Sequence, residues 1–387
     1  MSTIRVTNLQ NASAASPAIV LDANSRATLN GLSYPTEGSL SGRNRIINGD
    51  MRIDQRNAGA SVSTTVSNNT YTLDRFQVYY TQTSKYTVQQ NAGSVTPPAG
   101  FTNYLGVTSS SAYSVAASDF FMISHAIEGF NVADLDWGKA TAKTVTLSFW
   151  VRSSLTGTFG GAIGNNAGNR AYPFSYTISS ANTWTQISIT IPGDTTGTWE
   201  TGNAGGMFIR WGLGVGSTYS GTAGAWVGSN PLSVTGATSV VGTNGATFYI
   251  TGVQLEAGSV ATPFERRSYG QELALCQRYF EKSYNVDVAV ATNTQVGVFW
   301  GQGSSDNGSN FGVLIKFAVS KRATPIMAFY SETGTSGSWA YGRNGAFGTA
   351  ALTNYATGQN STAPYMNVGA TWAVCYVTGH WTSSAEL

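Results

Sequence analysis

Apolar and polar residues alternate with a period of two along most of this chain. Val145, Leu147, Phe149 and Val151 fall on one face of a segment whose other face is Thr146, Ser148, Trp150 and Arg152. Ile187, Ile189 and Ile191 repeat the pattern before Pro192 ends it, and Met207, Ile209, Trp211, Leu213 and Val215 repeat it again, as do Phe76, Val78 and Tyr80. Such alternation marks strands with one face turned to a core. Clusters of Gly, Asn, Ser and Thr separate the runs, so an antiparallel sandwich or jelly roll is predicted. In "FYITGVQLEAG" (248–258), Phe248 and Ile250 share one phase while Val253 and Leu255 share the other. Gly252 lies between them, where a bulge re-phases the strand. Pro263 then breaks the chain.

One segment departs from this period. Ser268 and Gln271 have capping-box spacing, and Leu273, Cys276 and Phe280 follow on one helical face, with Leu275 and Tyr279 beside it. Arg278 and Lys282 would fall in the last turn, where cations suit the helix dipole. A helix of about 13 residues is marginal alone, so its stripe of Leu273, Cys276 and Phe280 predicts inter-domain or oligomer contacts. Residues 284–387 return to strand patterning, interrupted by "SETGTSGSWAYGRNGAFGTAALTNYATGQNS", which reads as a loop-rich exposed end. The expected organisation is all-β: a segment 1–43 too poor in large apolar residues to fold alone, a jelly-roll domain 44–266, a connecting helix 267–283 and a C-terminal β-domain 284–387. No short internal repeat suggests a propeller or solenoid.

Composition narrows the setting. Only 10% of the 387 residues are charged, against roughly 25% in ordinary soluble proteins, so the surface is neutral and polar. A net charge of +2, without basic runs, gives no footprint for nucleic acid or an anionic membrane. There is no run of about 18 apolar residues and no signal-peptide core at the N-terminus. Cys276 and Cys375 read as two buried free thiols of a chain made in a reducing cytoplasm. An extracellular-looking surface without an export signal fits release by lysis within a virus particle.

"RNRIINGDMRIDQRNAGAS" with "YTLDRFQVYY", then "ISHAIEGFNVADLDWGKATAKTVTLSFWVRSSLTGTF", then "FYITGVQLEAGSVATPFERRSYGQELALCQRYFEKS" occur in that order across residues 44–283. They resemble a module of tail-fibre and other virion appendage proteins of tailed bacteriophages, of marine and cyanobacterial type. The resemblance implies a jelly roll similar to galactose-binding-like carbohydrate-binding modules, a following helix, a C-terminal β-domain, and assembly as a homotrimer in the virion. It implies attachment to other virion proteins through residues 1–43 and to a host-surface glycan or protein through the distal domain. A capsid- or collar-decorating role without receptor binding is the alternative, and a glycan depolymerase is a third reading. No catalytic residue comes with the resemblance.

The residues themselves offer little chemistry. His125 and His380 have no second ligand at metal spacing, and neither a nucleophile elbow nor a P-loop is present. "GLGVGS" (212–217) continues a strand and opens no helix. Asp134 and Asp136 are carboxylates close in sequence that read as turn formers rather than as a hydrolytic pair. Asp50, Asp74 and Glu256 lie in the motifs that carry the resemblance, which implies a structural Ca²⁺ held by acidic residues near the jelly roll's two ends; hydrogen bonding to turn backbone is the preferred reading. No catalytic residue, metal or cofactor is therefore assigned, and the chain reads as a non-enzyme. Aromatics in loop-like surroundings are the better lead to glycan or receptor binding: Trp199, Tyr219 and Trp226, and Trp339, Tyr341 and Arg343. Their alternative is to plug a sandwich end or a subunit interface. Trp150, Trp211 and Trp300 lie within strand patterns and read as core or interface.

Overall fold

The computed structural model describes residues 8–9, 19–21, 27–29, 32–33 and 42–387, apart from 65–68, 307–308 and 344–345. Within 1–43 the described residues include four short antiparallel strands, of which Ile19–Leu21 pairs with Ala27–Leu29. The particle-attachment reading falls largely on residues outside the described set.

Two six-stranded antiparallel sheets make the jelly roll. One runs Ala171–Ile178, Gly157–Gly164, Gly205–Val215, Phe120–Glu128, Phe76–Tyr80, Asn69–Tyr71, and the other Thr185–Ile191, Val145–Ser153, Thr247–Ala257, Leu105–Ser109, Tyr86–Gln90, Val62–Ser63. The alternating residues meet between them: Val145, Leu147, Phe149 and Val151 pack with Met207, Ile209, Trp211 and Leu213 in one core. Gly252 takes φ +60° at the expected bulge, where pairing slips between Ser148–Gln254 and Trp150–Thr251. That slip turns Phe248, Ile250, Val253 and Leu255 all into the core. Both the positive φ and the Phe101 ring against its Cα favour glycine there.

The N- and C-terminal ends of this unit clasp each other. Arg45 N–H donates to Leu255 O (2.9 Å) and Val253 N–H to Gly49 O (2.9 Å). Asn44 Oδ1 accepts from Leu255 N–H (3.1 Å), and Asn48 N–H donates to Glu272 Oε1 (2.5 Å). Arg267 donates to the carbonyls of Asn44 and Ile46. The first and last quoted motifs are thus one structural unit, each satisfying the other's backbone groups.

The helix is shorter than predicted. It spans Tyr269–Gln277, starts with the capping box of Ser268 and Gln271, and ends before Arg278. Phe280 leaves the helix: Phe280–Lys282 is a strand paired with the Cys375–Ser384 strand. Sheet pairing there, together with capture of Arg278 and Tyr279 by Glu128, outcompetes another helical turn. Arg278 forks onto Glu128 (2.9 and 2.6 Å) and Tyr279 Oη donates to it (2.7 Å). Leu273 and Cys276 pack in one cluster with Ile47, Ile53 and Tyr279, with Leu387 alongside. Phe280 is buried beneath the Arg56 guanidinium, 3.8 Å from its ring centroid.

In the C-terminal domain, the Cys375–Ser384 strand is central. It pairs with Phe299–Gly303, Ser338–Arg343, Ile326–Tyr330 and Phe280–Lys282, and the sheet continues through Ala346–Thr353, Tyr365–Asn367 and Asn310–Gly312. Phe311, Phe329, Trp339, Met366, Val377 and Trp381 fill its core. The expected loop-rich end is corrected here: "SWAYGR" and "AFGTAALT" are paired strands. Their glycines, and one on the central strand, accommodate rings rather than loops, since Gly342, Gly348 and Gly379 lie beneath Tyr376, Tyr341 and Trp339. Cys276 and Cys375 are both buried free thiols.

Candidate functional site

The six aromatic and basic candidates do not form one site. In the jelly roll, Trp199 is buried and Trp226 half-buried, and with Trp137 they form a mutually perpendicular triad. Ring centroids lie 4.7 Å apart for Trp137–Trp199, 5.2 Å for Trp137–Trp226 and 5.6 Å for Trp199–Trp226. The indole N–H groups are engaged: Trp137 donates to Lys143 O, Trp199 to Asp194 and Trp226 to Pro192 O. Burial raises the Asp194 pKa, but the Arg170 fork, the Trp199 N–H and the Thr196 N–H outweigh it and hold the carboxyl below its ordinary value. Tyr219 is half-buried with its ring edge-on to Phe120 at 5.3 Å.

In the C-terminal domain, Trp339 lies on a strand, not a loop. It is fully buried and donates its N–H to His380 O (2.8 Å). Tyr341, half-buried, packs against the same core. Arg343 ends the strand, and its side chain lies outside the described residues.

What the sheet does expose is its opposite face. Cys375 and Val377 point inward, which turns Tyr376 outward. Tyr376 is in register with Gln302 on one side and Gly342 on the other, and Gly342 with Phe347. Trp300 shares the phase of Gln302. The result is a row of rings across four adjacent strands: Trp300 stacks near-parallel to Tyr376 (6.3 Å, 24°) and Phe347 meets Tyr376 edge-on (6.3 Å, 67°). Trp300 is 55% exposed and Phe347 78%. Gly342 makes the row possible, because any side chain there would overlap the Tyr376 ring. Trp300 is thus an exposed ring, which removes the core half of the core-or-interface expectation. The missed signal was phase: in "GVFWGQG" and "WAVCYV" neighbouring aromatics and core residues cannot all point inward.

The remaining titratable candidates are structural. His380 stacks on Tyr284 (3.7 Å, 13°), with Nδ1 on Ser283 Oγ and Nε2 on Thr294 O. His125 is buried beside Phe76, and burial pushes its pKa well below the ordinary value. Asp134 pairs with Arg45 (2.6 Å) and Asp136 with Lys139 (2.7 Å). Asp50, Asp74 and Glu256 stay apart: Asp50 pairs with Arg52, Asp74 accepts from Gln55 N–H and Nε2 (2.7 Å each), and Glu256 accepts from Thr262 N–H and Oγ1. Among the described residues no group of three His, Cys, Asp or Glu is placed to hold a metal. No helix there is long and apolar enough to cross a membrane.

No family model matches the chain, and no curated protein matches it. Solved structures similar to it include the enzymatically active domain of tailspike protein 4 of bacteriophage CBA120 (14% identity, TM-score 0.31, 56% of this chain and 22% of that one). They also include a family 11 carbohydrate-binding module from Clostridium thermocellum in complex with a β-1,3-1,4-mixed-linked tetrasaccharide (10%, 0.26, 52% and 98%). A third is the N-terminal cellulose-binding domain of Cellulomonas fimi β-1,4-glucanase C (13%, 0.25, 51% and 100%). The chain's structural neighbours are thus a phage tailspike domain and carbohydrate-binding modules, all at low identity, and the tailspike match spans less than a quarter of that chain.

Proposed function

We propose that the chain is a non-enzymatic structural component of a tailed-bacteriophage particle, an appendage of the tail-fibre kind that attaches to host-surface glycan. The ring row of exposed Trp300, half-buried Tyr376 and exposed Phe347 carries the reading. Aromatic faces offer apolar contact to the C–H faces of sugar rings at low entropy cost, and Gln302 and Thr349 supply amide and hydroxyl groups beside them. The row itself carries no charged side chain, which suits a neutral ligand. The three ordered motifs of residues 44–283 support the virion setting, with residues 1–43 as the attachment segment and a homotrimer as the assembled form.

A capsid- or collar-decorating role is the second reading. It is favoured by the jelly roll itself, whose candidate rings are consumed in packing. Two experiments decide. The purified chain should bind host cells and their extracted surface polysaccharide, and should block phage adsorption. Labelling in intact particles should place it on the tail. Absence of binding, with label on the head or collar, would favour decoration, and new reducing ends released from the polysaccharide would show an enzyme instead.

A further inference from the structure

A second concavity opens elsewhere on the C-terminal domain, a cleft of about 430 Å³ lined by Ser304, Asp306, Asn310, Gly312, Tyr355 and Tyr365. Its size is within the ~300–1,000 Å³ of small-molecule sites. The Asn310–Gly312 strand pairs antiparallel with Tyr365–Asn367, which sets Gly312 directly opposite Tyr365. Gly312 has no side chain, so the wall beside the Tyr365 ring is bare backbone. Tyr355, 66% exposed, meets Tyr365 nearly at right angles (6.3 Å, 74°), so two ring faces border one space.

The polar groups are braced. Asp306 accepts from Asn310 N–H through Oδ1 (2.8 Å) and from Asn310 Nδ2 through Oδ2 (3.3 Å). That fixes the Asn310 amide and leaves its Oδ1 as an acceptor with no protein donor among the described residues. The hydroxyls of Ser304, Tyr355 and Tyr365 likewise make no protein hydrogen bond among them. Among the described residues the lining holds one carboxylate and no cation. Two ring faces, an oriented amide, three hydroxyls and a negative charge suit a compact ring that is apolar on one side and rich in hydroxyls at its edge. The same charge repels an anionic ligand.

We propose that this cleft is a second binding site, distinct from the ring row, that takes one neutral pyranose unit as the end group of a glycan and rejects an acidic sugar. The ligand class rests on the glycan-binding reading, but the residues do not. The full chain is titrated by saturation-transfer NMR and calorimetry with D-galactose, D-glucose, N-acetyl-D-glucosamine and D-glucuronate. At least one neutral sugar should bind in about the millimolar range, and glucuronate roughly tenfold more weakly or worse. Tyr365→Ala and Asn310→Ala should each weaken neutral-sugar binding roughly tenfold, with the melting temperature followed in parallel. Asp306→Asn should narrow the gap between neutral and acidic sugars, a change that a misfolded cleft would not give. Trp300→Ala should leave all these titrations unchanged. No binding of any neutral sugar, equal affinity for glucuronate, or indifference to both Tyr365→Ala and Asn310→Ala would overturn the cleft. If polysaccharide capture through Trp300 persists while no monosaccharide binds, the cleft alone fails. If monosaccharides bind while Trp300→Ala leaves polysaccharide capture intact, the ring row alone fails.

Discussion

In the jelly roll, Trp137, Trp199 and Trp226 close on one another at right angles, and their N–H groups are spent on Lys143, Asp194 and Pro192. In the C-terminal domain, Trp300, Tyr376 and Phe347 lie open across four strands with Gly342 beneath the middle ring. Both sets contain large aromatics, and both are flanked by glycine and hydroxyl residues in sequence. The difference is packing. Trp137 and Trp199 belong to the jelly-roll core with Trp226 packed against it, whereas Trp300 and Phe347 are more than half exposed. The same residue type therefore supplies cohesion in one region and exposed surface in the other.

Paired substitutions break or sharpen this contrast. The largest effect is expected for Trp339→Ala, which empties a fully buried site and should cost ~3–5 kcal/mol in denaturant unfolding. Trp300→Ala, on the exposed face of the same sheet, should stay within about 0.5 kcal/mol of wild type. Equal losses would mean that the outer row is covered in solution. Next comes the joint between the regions. Arg278→Ala leaves the Glu128 carboxylate, 1% exposed, without its fork, and should cost about 3 kcal/mol. Tyr279→Phe, which removes only one hydrogen bond to that carboxylate, should cost nearer 1–2 kcal/mol. Calorimetry would check whether the two domains then melt apart.

A pH-dependent effect, largest only at low pH, is expected at Asp74 on the jelly-roll side of this joint. Burial raises its pKa to about 6, against the opposing pull of Arg56 and the Gln55 hydrogen bonds. The folded state therefore holds its proton more tightly than the unfolded chain does. The resulting stabilisation is fully present below the unfolded value of 3.8 and is lost as pH rises through about 6. Wild type should gain stability relative to Asp74→Asn as pH falls across that window, by about 3 kcal/mol at most. A difference independent of pH would show that Asp74 does not titrate there.

Period and turn chemistry carried much of the fold. The alternating runs, the Gly252 bulge and the Ser268–Gln271 capping box were all legible, because each is local and its physics is written in adjacent residues. The helix end was not, since Phe280–Lys282 pairs with residues about a hundred positions away and Glu128 seizes Arg278 and Tyr279 from another sheet. Nor was the exposed hairpin, because glycines that make room for rings look like loop glycines until the cross-strand partner is known. The ring row was half legible. Phase in "WAVCYV" turns Tyr376 outward, but only the register across Gln302, Gly342 and Phe347 joins it to Trp300.

The central claim is that the outer row holds host glycan, and binding of Trp300→Ala and Tyr376→Ala to extracted host-surface polysaccharide tests it most directly. Each variant should bind at least about tenfold more weakly than wild type with an unchanged melting temperature, while Trp226→Ala, altering the jelly-roll triad, should bind as wild type does at temperatures where it stays folded. Wild-type affinity in both outer-row variants would contradict the account.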